Sequence, residues 1–285
     1  LFKILEKEVF SKNPRVTMFV IDAPKIAKKA KSGQFIILRI DEKGERVPLT
    51  VADKDPIKGT VTIVFQEVGK TTAQLAMLNA GDYILDFVGP LGRETHFGDA
   101  KKIVCVGGGV GVAPIHHIAM GIKEKGIELI TIIGSRTKEL LFWEDKLKLL
   151  SDTLYVTTDD GSYGIKGFVT NVLKNLLESD KSIDTVIAIG PTIMMKFVCK
   201  VTEPFNVKTL VSLNPIMVDA TGMCGACRVT VDGSTKFVCV DGPEFDGHKV
   251  DFDQLMQRMS LYKPQEQLSY NKFKESCGSN CKCNS

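Results

Sequence analysis

No charge of either sign dominates this sequence: 37 lysines and arginines against 34 aspartates and glutamates leave a net charge of +3. That near-balance lacks the basic footprint of a nucleic-acid binder or of a protein held on an anionic membrane. A bilayer-spanning run is also missing. The longest stretch without Asp, Glu, Lys or Arg, Ile103 to Ile122, is long enough to cross. It holds Gly107, Gly108, Gly109, Gly111, Gly121, Pro114, His116 and His117, however, and these suit lipid poorly. Leu1 to Phe10 scatters charges and has no apolar core, so no secretory signal is expected and the protein reads as cytoplasmic. Internal repeats and low-complexity segments are absent. His96, His116, His117 and His248 form no metal-ligand spacing with the cysteines.

A hydrophobic content of 44% with 25% charged residues is enough for a sizeable core. A length of 285 residues is too great for one typical domain and suits two domains plus a small appendage. Up to about residue 96 the chain reads as short strands, Val16 to Ile21, Gln34 to Ile40, Val61 to Val68 and Tyr83 to Val88, punctuated by Gly33, Gly44 and Gly59. This predicts an antiparallel barrel or sandwich over residues 1–96. From Lys101 onward strand-like runs alternate with helix-length segments, the signature of a doubly wound parallel sheet, here placed over residues 97–213. A small module at 214–250 and a polar tail at 251–285 complete the division.

Gly107-Gly108-Gly109-Val110-Gly111-Val112-Ala113-Pro114 follows a buried-looking strand and opens a helix. Glycines let the backbone turn tightly and approach a pyrophosphate, and the helix start favours the anion. Pro114 suits a first helical turn, where its absent N–H is not missed. Alone, such a loop is equally a plain strand-to-helix turn. Three later features fall where an open α/β sheet gathers ligands: Ser135-Arg136 after the second strand, Asp159-Asp160 after the third, and Gly190-Pro191 with Met194 after the fourth. Together they predict a nicotinamide dinucleotide site. Arg136 suits either a 2′-phosphate or plain solvent, so the choice of NADH or NADPH stays open.

Of eight cysteines, six fall between Cys224 and Cys283. Clustered cysteines in a cytoplasmic chain point to metal rather than disulfides. Cys224-Gly225-Ala226-Cys227 with Cys239 after eleven residues supplies three ligands of a plant-type [2Fe–2S] pattern, Cys-x4-Cys-x2-Cys plus a distant Cys. The position of the first cysteine is Asp219, a harder donor of the same formal charge. The competing reading is structural zinc on the same four groups. Asp241 to Phe245 reads as a turn closing the cluster loop. Cys277, Cys281 and Cys283 read as unliganded thiols of the tail.

The order of these parts resembles the ferredoxin–NADP reductase superfamily over residues 1 to about 210. That resemblance implies a flavin barrel in which Arg46-Val47-Pro48-Leu49-Thr50 and Gly69-Lys70-Thr71-Thr72 hold FAD. Thr50 would then lie near the reactive flavin nitrogen, and Gly89-Pro90-Leu91-Gly92 would close the barrel. Arg46 lies four residues before Thr50 where the family pattern has three, so either a bulge brings it to the flavin or it is an ordinary surface residue.

With the C-terminal cluster included, the chain resembles the electron-transfer subunits of NAD-dependent dihydroorotate dehydrogenases, whose clusters have four cysteines. Asp219 and the two flavin motifs are more similar to the small (alpha) subunits of NADH-dependent reduced ferredoxin:NADP oxidoreductases, also called sulfide dehydrogenase beta subunits. The resemblance implies NAD(H) exchanging hydride with FAD and single electrons passing to the cluster. It also implies a heterodimer with a larger flavin and [4Fe–4S] subunit that handles ferredoxin and NADP(H) by electron bifurcation. A dihydroorotate dehydrogenase subunit and a nucleotide-sensing module with structural zinc are the alternatives.

Overall fold

A computed structural model describes residues 1–277, so the expectation for the thiols of Cys277, Cys281 and Cys283 lies outside the described side chains. The chain opens with the hairpin β1 (Phe2–Lys12) and β2 (Arg15–Asp22) and the short helix α1 (Pro24–Ala27). Strands β3 (Phe35–Arg39), β4 (Val47–Thr50), β5 (Asp53–Asp55) and β6 (Thr60–Gln66) follow, then helix α2 (Lys70–Met77) and strands β7 (Tyr83–Ile84) and β8 (Asp86–Leu91). Two antiparallel sheets, ordered β5-β6-β2-β1-β7 and β4-β3-β8, enclose a barrel-like core that includes Phe19, Ile36, Leu38, Ile63, Phe65 and Phe87. Each such side chain contributes roughly 1.5–3 kcal/mol on burial. Because successive strand residues point to opposite faces, β3 serves two cores. Ile36 and Leu38 face the barrel interior, whereas Phe35 and Ile37 join the core that also holds Met217, Cys227 and Cys239.

The second layer runs β9 (Lys102–Gly108), α3 (Val112–Glu124), β10 (Glu128–Ser135), α4 (Glu144–Leu150), β11 (Thr153–Thr158), β12 (Ile165–Lys166), α5 (Val169–Ser179), β13 (Thr185–Ile189), α6 (Thr192–Thr202) and β14 (Lys208–Ser212). The sheet order is β12-β11-β10-β9-β13-β14, followed by a last edge strand from further along the chain. Alternate residues of β9 enter cores on its two faces, Val104 and Val106 on one and Ile103 and Cys105 on the other. Strand order reverses at β9, so the glycine loop after it opens on the crevice where such sheets bind ligands.

Beyond β14 a loop leads to the hairpin β15 (Arg228–Val231) and β16 (Ser234–Phe237), helix α7 (Val238–Asp241), strand β17 (Glu244–Asp246), and helices α8 (Phe252–Ser260) and α9 (Lys263–Cys277). Two expectations change here. Asp241 to Phe245 is not simply a turn, because β17 pairs antiparallel with β14, Phe245 opposite Val211, and completes the seven-stranded sheet. Within the segment read as a polar tail, residues 252–260 and 263–277 are helical. Asp251 caps α8 by accepting from the Gln254 N–H at 2.9 Å, and Phe252 and Leu255 are buried. Among the described residues no helix is long and apolar enough to cross a membrane.

Candidate functional site

A cleft of about 350 Å³ opens where the three parts meet. The barrel contributes Phe35, Pro48, Leu49 and Thr50; the glycine loop contributes Gly108 to Gly111 and Pro114; the α6 start contributes Gly190 and Pro191. The segment entering the cysteine module adds Ser212, Leu213, Asn214 and Met217, and Pro243 comes from beyond Cys239. Sequence reading named Pro48 to Thr50, the glycine loop and Gly190-Pro191, but not Phe35, nor Val64, Gln66 and Ile189, which also line the cleft, and it missed the last two contributions. The only local signal for Met217 was an apolar residue two positions before Asp219.

Strand β4 keeps an unbroken register with β3, Thr50 opposite Phe35 and Val47 opposite Leu38. No bulge draws Arg46 inward; it stands exposed in the loop before the strand and lines neither this cleft nor the next. Gly69 to Thr72 lies at the start of α2, on a second cleft of about 640 Å³. Its two threonines already have partners. The Thr72 hydroxyl accepts from the Val68 and Gly69 N–H groups at 3.0 and 3.1 Å, and Thr71 donates to Glu45 at 3.0 Å. What the turn offers a ligand is therefore its backbone and Lys70.

In the glycine loop, Gly109 has φ +55°, a left-handed conformation costly for other residues. A Cβ on Gly111 would overlap the Ile189 carbonyl, so the loop and the β13 end approach at backbone distance. Met194 packs directly over Gly108, and Gly107 and Ala113 are buried behind the loop. Ser135 is buried and bonded to the Thr137 carbonyl at 2.6 Å, whereas Arg136, Asp159 and Asp160 are exposed. They share the same sheet edge because Asp159 and Asp160 donate backbone N–H bonds to Ser135 and Arg136. The Asp160 carboxylate accepts from Ser162, chiefly its hydroxyl, and this keeps it below its usual range.

Helix α3 is locked to the barrel by its buried histidines. His116 Nδ1 lies 3.2 Å from the Ala52 carbonyl and His117 Nδ1 lies 3.1 Å from that of Val51, so each ring donates. Burial lowers both, His117 to about 4.

The cysteine loop brings its four predicted ligands together as two pairs. Cys227 and Cys239 are buried with sulfurs 3.2 Å apart, and Cys239 also donates its N–H to the Cys227 sulfur. Burial, then the neighbouring Cys227, pushes the Cys239 thiol up to about 12. Asp219 forms the other pair with the exposed Cys224. Its carboxylate is lowered first by the Thr221 N–H and further by Cys224. Left-handed backbone at Ala220, Gly222 and Gly225 makes the loop this tight, and Ala220 accepts a cost of about 1–2 kcal/mol. Among the described residues no three His, Cys, Asp or Glu side chains converge on one point. Four such groups in one loop would supply two ligands to each iron of a two-iron cluster.

A family model of the iron–sulfur cluster binding domain of dihydroorotate dehydrogenase B matches residues 214–251. A Thermotoga maritima homolog of the dihydroorotate dehydrogenase B (NAD(+)) electron transfer subunit is 50% identical, covering 91% of this chain and 92% of that protein. The Streptococcus thermophilus dihydroorotate dehydrogenase B (NAD(+)) electron transfer subunit is 36% identical, covering 83% and 93%. The chain belongs to this family of electron-transfer subunits. A solved structure of a NADH-dependent reduced ferredoxin-NADP oxidoreductase, described in connection with flavin-based electron bifurcation, superposes with a TM-score of 0.90. It is 48% identical, with 96% of this chain and 98% of that one covered. As a family member the chain is an oxidoreductase subunit that transfers electrons, and it works within a multi-subunit assembly.

Proposed function

We propose that the chain is the small subunit of a NADH-dependent ferredoxin:NADP oxidoreductase, carrying FAD in the barrel, NAD(H) on the α/β sheet and a [2Fe–2S] cluster on Asp219, Cys224, Cys227 and Cys239. The observation that carries this reading is the shared cleft, in which Thr50, the glycine loop and Met217 line one space. Bound flavin accepts an electron pair from nicotinamide as hydride and releases electrons singly, which is the exchange an iron–sulfur cluster needs.

The residues divide the work. Pro48, Leu49 and Thr50, which line the cleft, would hold the flavin ring, and the Thr50 hydroxyl would supply a hydrogen bond to its reactive nitrogen. Gly69 to Thr72 offers backbone donors and Lys70 to the flavin diphosphate, and Arg46 is left as a surface residue. Gly107 to Gly111, Ala113 and Pro114 present a helix start to the dinucleotide pyrophosphate, and Gly190, Pro191 and Met194 flank the nicotinamide end. Arg136, Asp159 and Asp160 receive the adenosine end on the exposed sheet edge, and the buried Ser135 shapes that edge through its bond to the Thr137 carbonyl. Hydride transfer calls for no general acid or base from the protein.

The larger partner subunit, carrying flavin and [4Fe–4S] centres, would connect the cluster to ferredoxin and NADP(H). Asp219 and the close likeness to the ferredoxin-NADP enzyme favour this assembly over a dihydroorotate dehydrogenase. Anaerobic NADH added to the purified chain should bleach flavin bands and raise an electron paramagnetic resonance signal of a reduced cluster. A colourless preparation with stoichiometric zinc would overturn the reading. Co-purification should recover a subunit with flavin and [4Fe–4S] spectra; recovery of an orotate-reducing partner would establish the other family assembly instead.

A further inference from the structure

Helix α9 has no apolar face to account for its position. Of its residues 263–276 only Ser269, Tyr270 and Phe273 are half-buried, and Leu268 is exposed. A helix of this length is marginal in water without tertiary support, and one polar all round has little to bury. It nevertheless lies back across the barrel, 200 residues away in sequence, touching α2 and donating from the Tyr270 hydroxyl to Glu67 at 3.0 Å.

The space between α9 and the barrel is the 640 Å³ cleft that the Gly69 to Thr72 turn opens on. This volume is within the roughly 300–1,000 Å³ of small-molecule sites. Its near wall carries the α2 start with Lys70 and Glu45, the latter held by the Thr71 hydroxyl; its far wall carries Lys263, Gln265, Glu266, Ser269 and Tyr270 of α9, so two cations and two carboxylates line the space. Cations on opposite walls suit a diphosphate, and a tyrosine ring beside amide and hydroxyl groups suits a purine.

We infer that α9 is the outer wall of the site for the adenosine diphosphate half of the flavin, with Lys263 facing the phosphates and Tyr270 the adenine. The inference rests on the reading that Gly69 to Thr72 holds the flavin diphosphate. A bound dinucleotide would add a second contact between the helix and the barrel to the Tyr270–Glu67 bond, on the ring face opposite the Lys274 ammonium that lies 4.0 Å from the Tyr270 centroid.

The test separates FAD from FMN, which lacks the adenosine. Full-length chain stripped of flavin is titrated with each by fluorescence quenching, with iron content as the control for folding. Tyr270→Ala should weaken FAD by roughly tenfold or more, the scale of a lost base-stacking contact, and leave FMN affinity unchanged; Lys263→Ala should weaken FAD by a similar factor and FMN, which keeps one of the two phosphates, by less. Unchanged FAD affinity in both variants, or equal losses for FAD and FMN, would overturn the role of α9. Lys70→Glu distinguishes the two levels. If it weakens FAD while the α9 variants do not, only the helix wall is wrong; if it has no effect either, the diphosphate site lies elsewhere and the inference falls with it.

Discussion

The Asp219 carboxylate accepts from the Thr221 N–H at 3.0 Å and its hydroxyl at 3.2 Å, contacts that favour the ionised form a metal requires. Removing it as Asp219→Ala should lower iron retention by at least the roughly 10–100-fold that loss of an outer-shell partner costs. Asp219→Cys should keep the iron and shift the resonance spectrum, because thiolate is the softer donor. Full iron content with an unchanged spectrum in the alanine variant would place the fourth ligand elsewhere. At this scale the sequence was most legible where chemistry imposes spacing: the cysteine pattern needs neither the fold nor a partner strand to be seen. It was silent on Phe35, Asn214, Met217 and Pro243, which come to the cleft from three segments through packing alone.

Among the elements, α3 and β17 carry buried titratable groups with opposite consequences. His117 is lowered to about 4 by burial, against roughly 6.5 when unfolded. Between those values the unfolded chain binds a proton that the folded chain refuses. Its contribution is complete above about pH 6.5 and falls by on the order of 3 kcal/mol as pH drops toward 4. Glu244, half-buried and bonded to the Thr95 hydroxyl at 2.7 Å, is raised to about 7 by desolvation. Here the folded chain keeps a proton that the unfolded chain releases, so stability is lost as pH rises from about 4.3 to 7. Urea unfolding at several pH values should show His117→Gln gaining on the parent as pH falls and Glu244→Gln gaining as pH rises. Parallel curves for the two variants would sink this assignment.

The same elements show what a pattern reveals. Strands β3, β6, β9 and β13 are rich in β-branched residues buried on both faces, and they were found nearly to the residue. Strand β1, Phe2–Lys12, was missed because charges fill its exposed face and only Ile4 and Ser11 are buried. Helix α9 was missed because it has almost no buried stripe to give it a period.

At the scale of the whole molecule, the bend at Gly92 that follows β8 is tied to the chain just after Cys239, while Gly89-Pro90-Leu91, expected as a closing turn, lies within the strand. The Arg93 N–H donates to the Gly242 carbonyl at 2.7 Å, its side-chain Nε to Val240 at 3.1 Å, and its guanidinium lies 3.8 Å from Asp241. Gln34 anchors the other side of the bend by donating to the Gly92 carbonyl at 2.8 Å. An ion pair as exposed as this contributes about 0–1 kcal/mol to stability, so its consequence is positional: it holds the end of β8 and the cysteine loop in one register. Arg93→Ala should therefore melt close to the parent and bleach flavin at the same rate with NADH, yet reduce the cluster more slowly in stopped-flow absorbance. An unchanged rate of cluster reduction would direct attention to the buried contact surface of Phe35 and Met217, which share one core with Cys227 and Cys239. Met217→Ala would then slow the same phase where Arg93→Ala did not, because that side chain lines the cleft two residues from Asp219 and shares a core with Phe35 and Cys227, where its removal would leave a void.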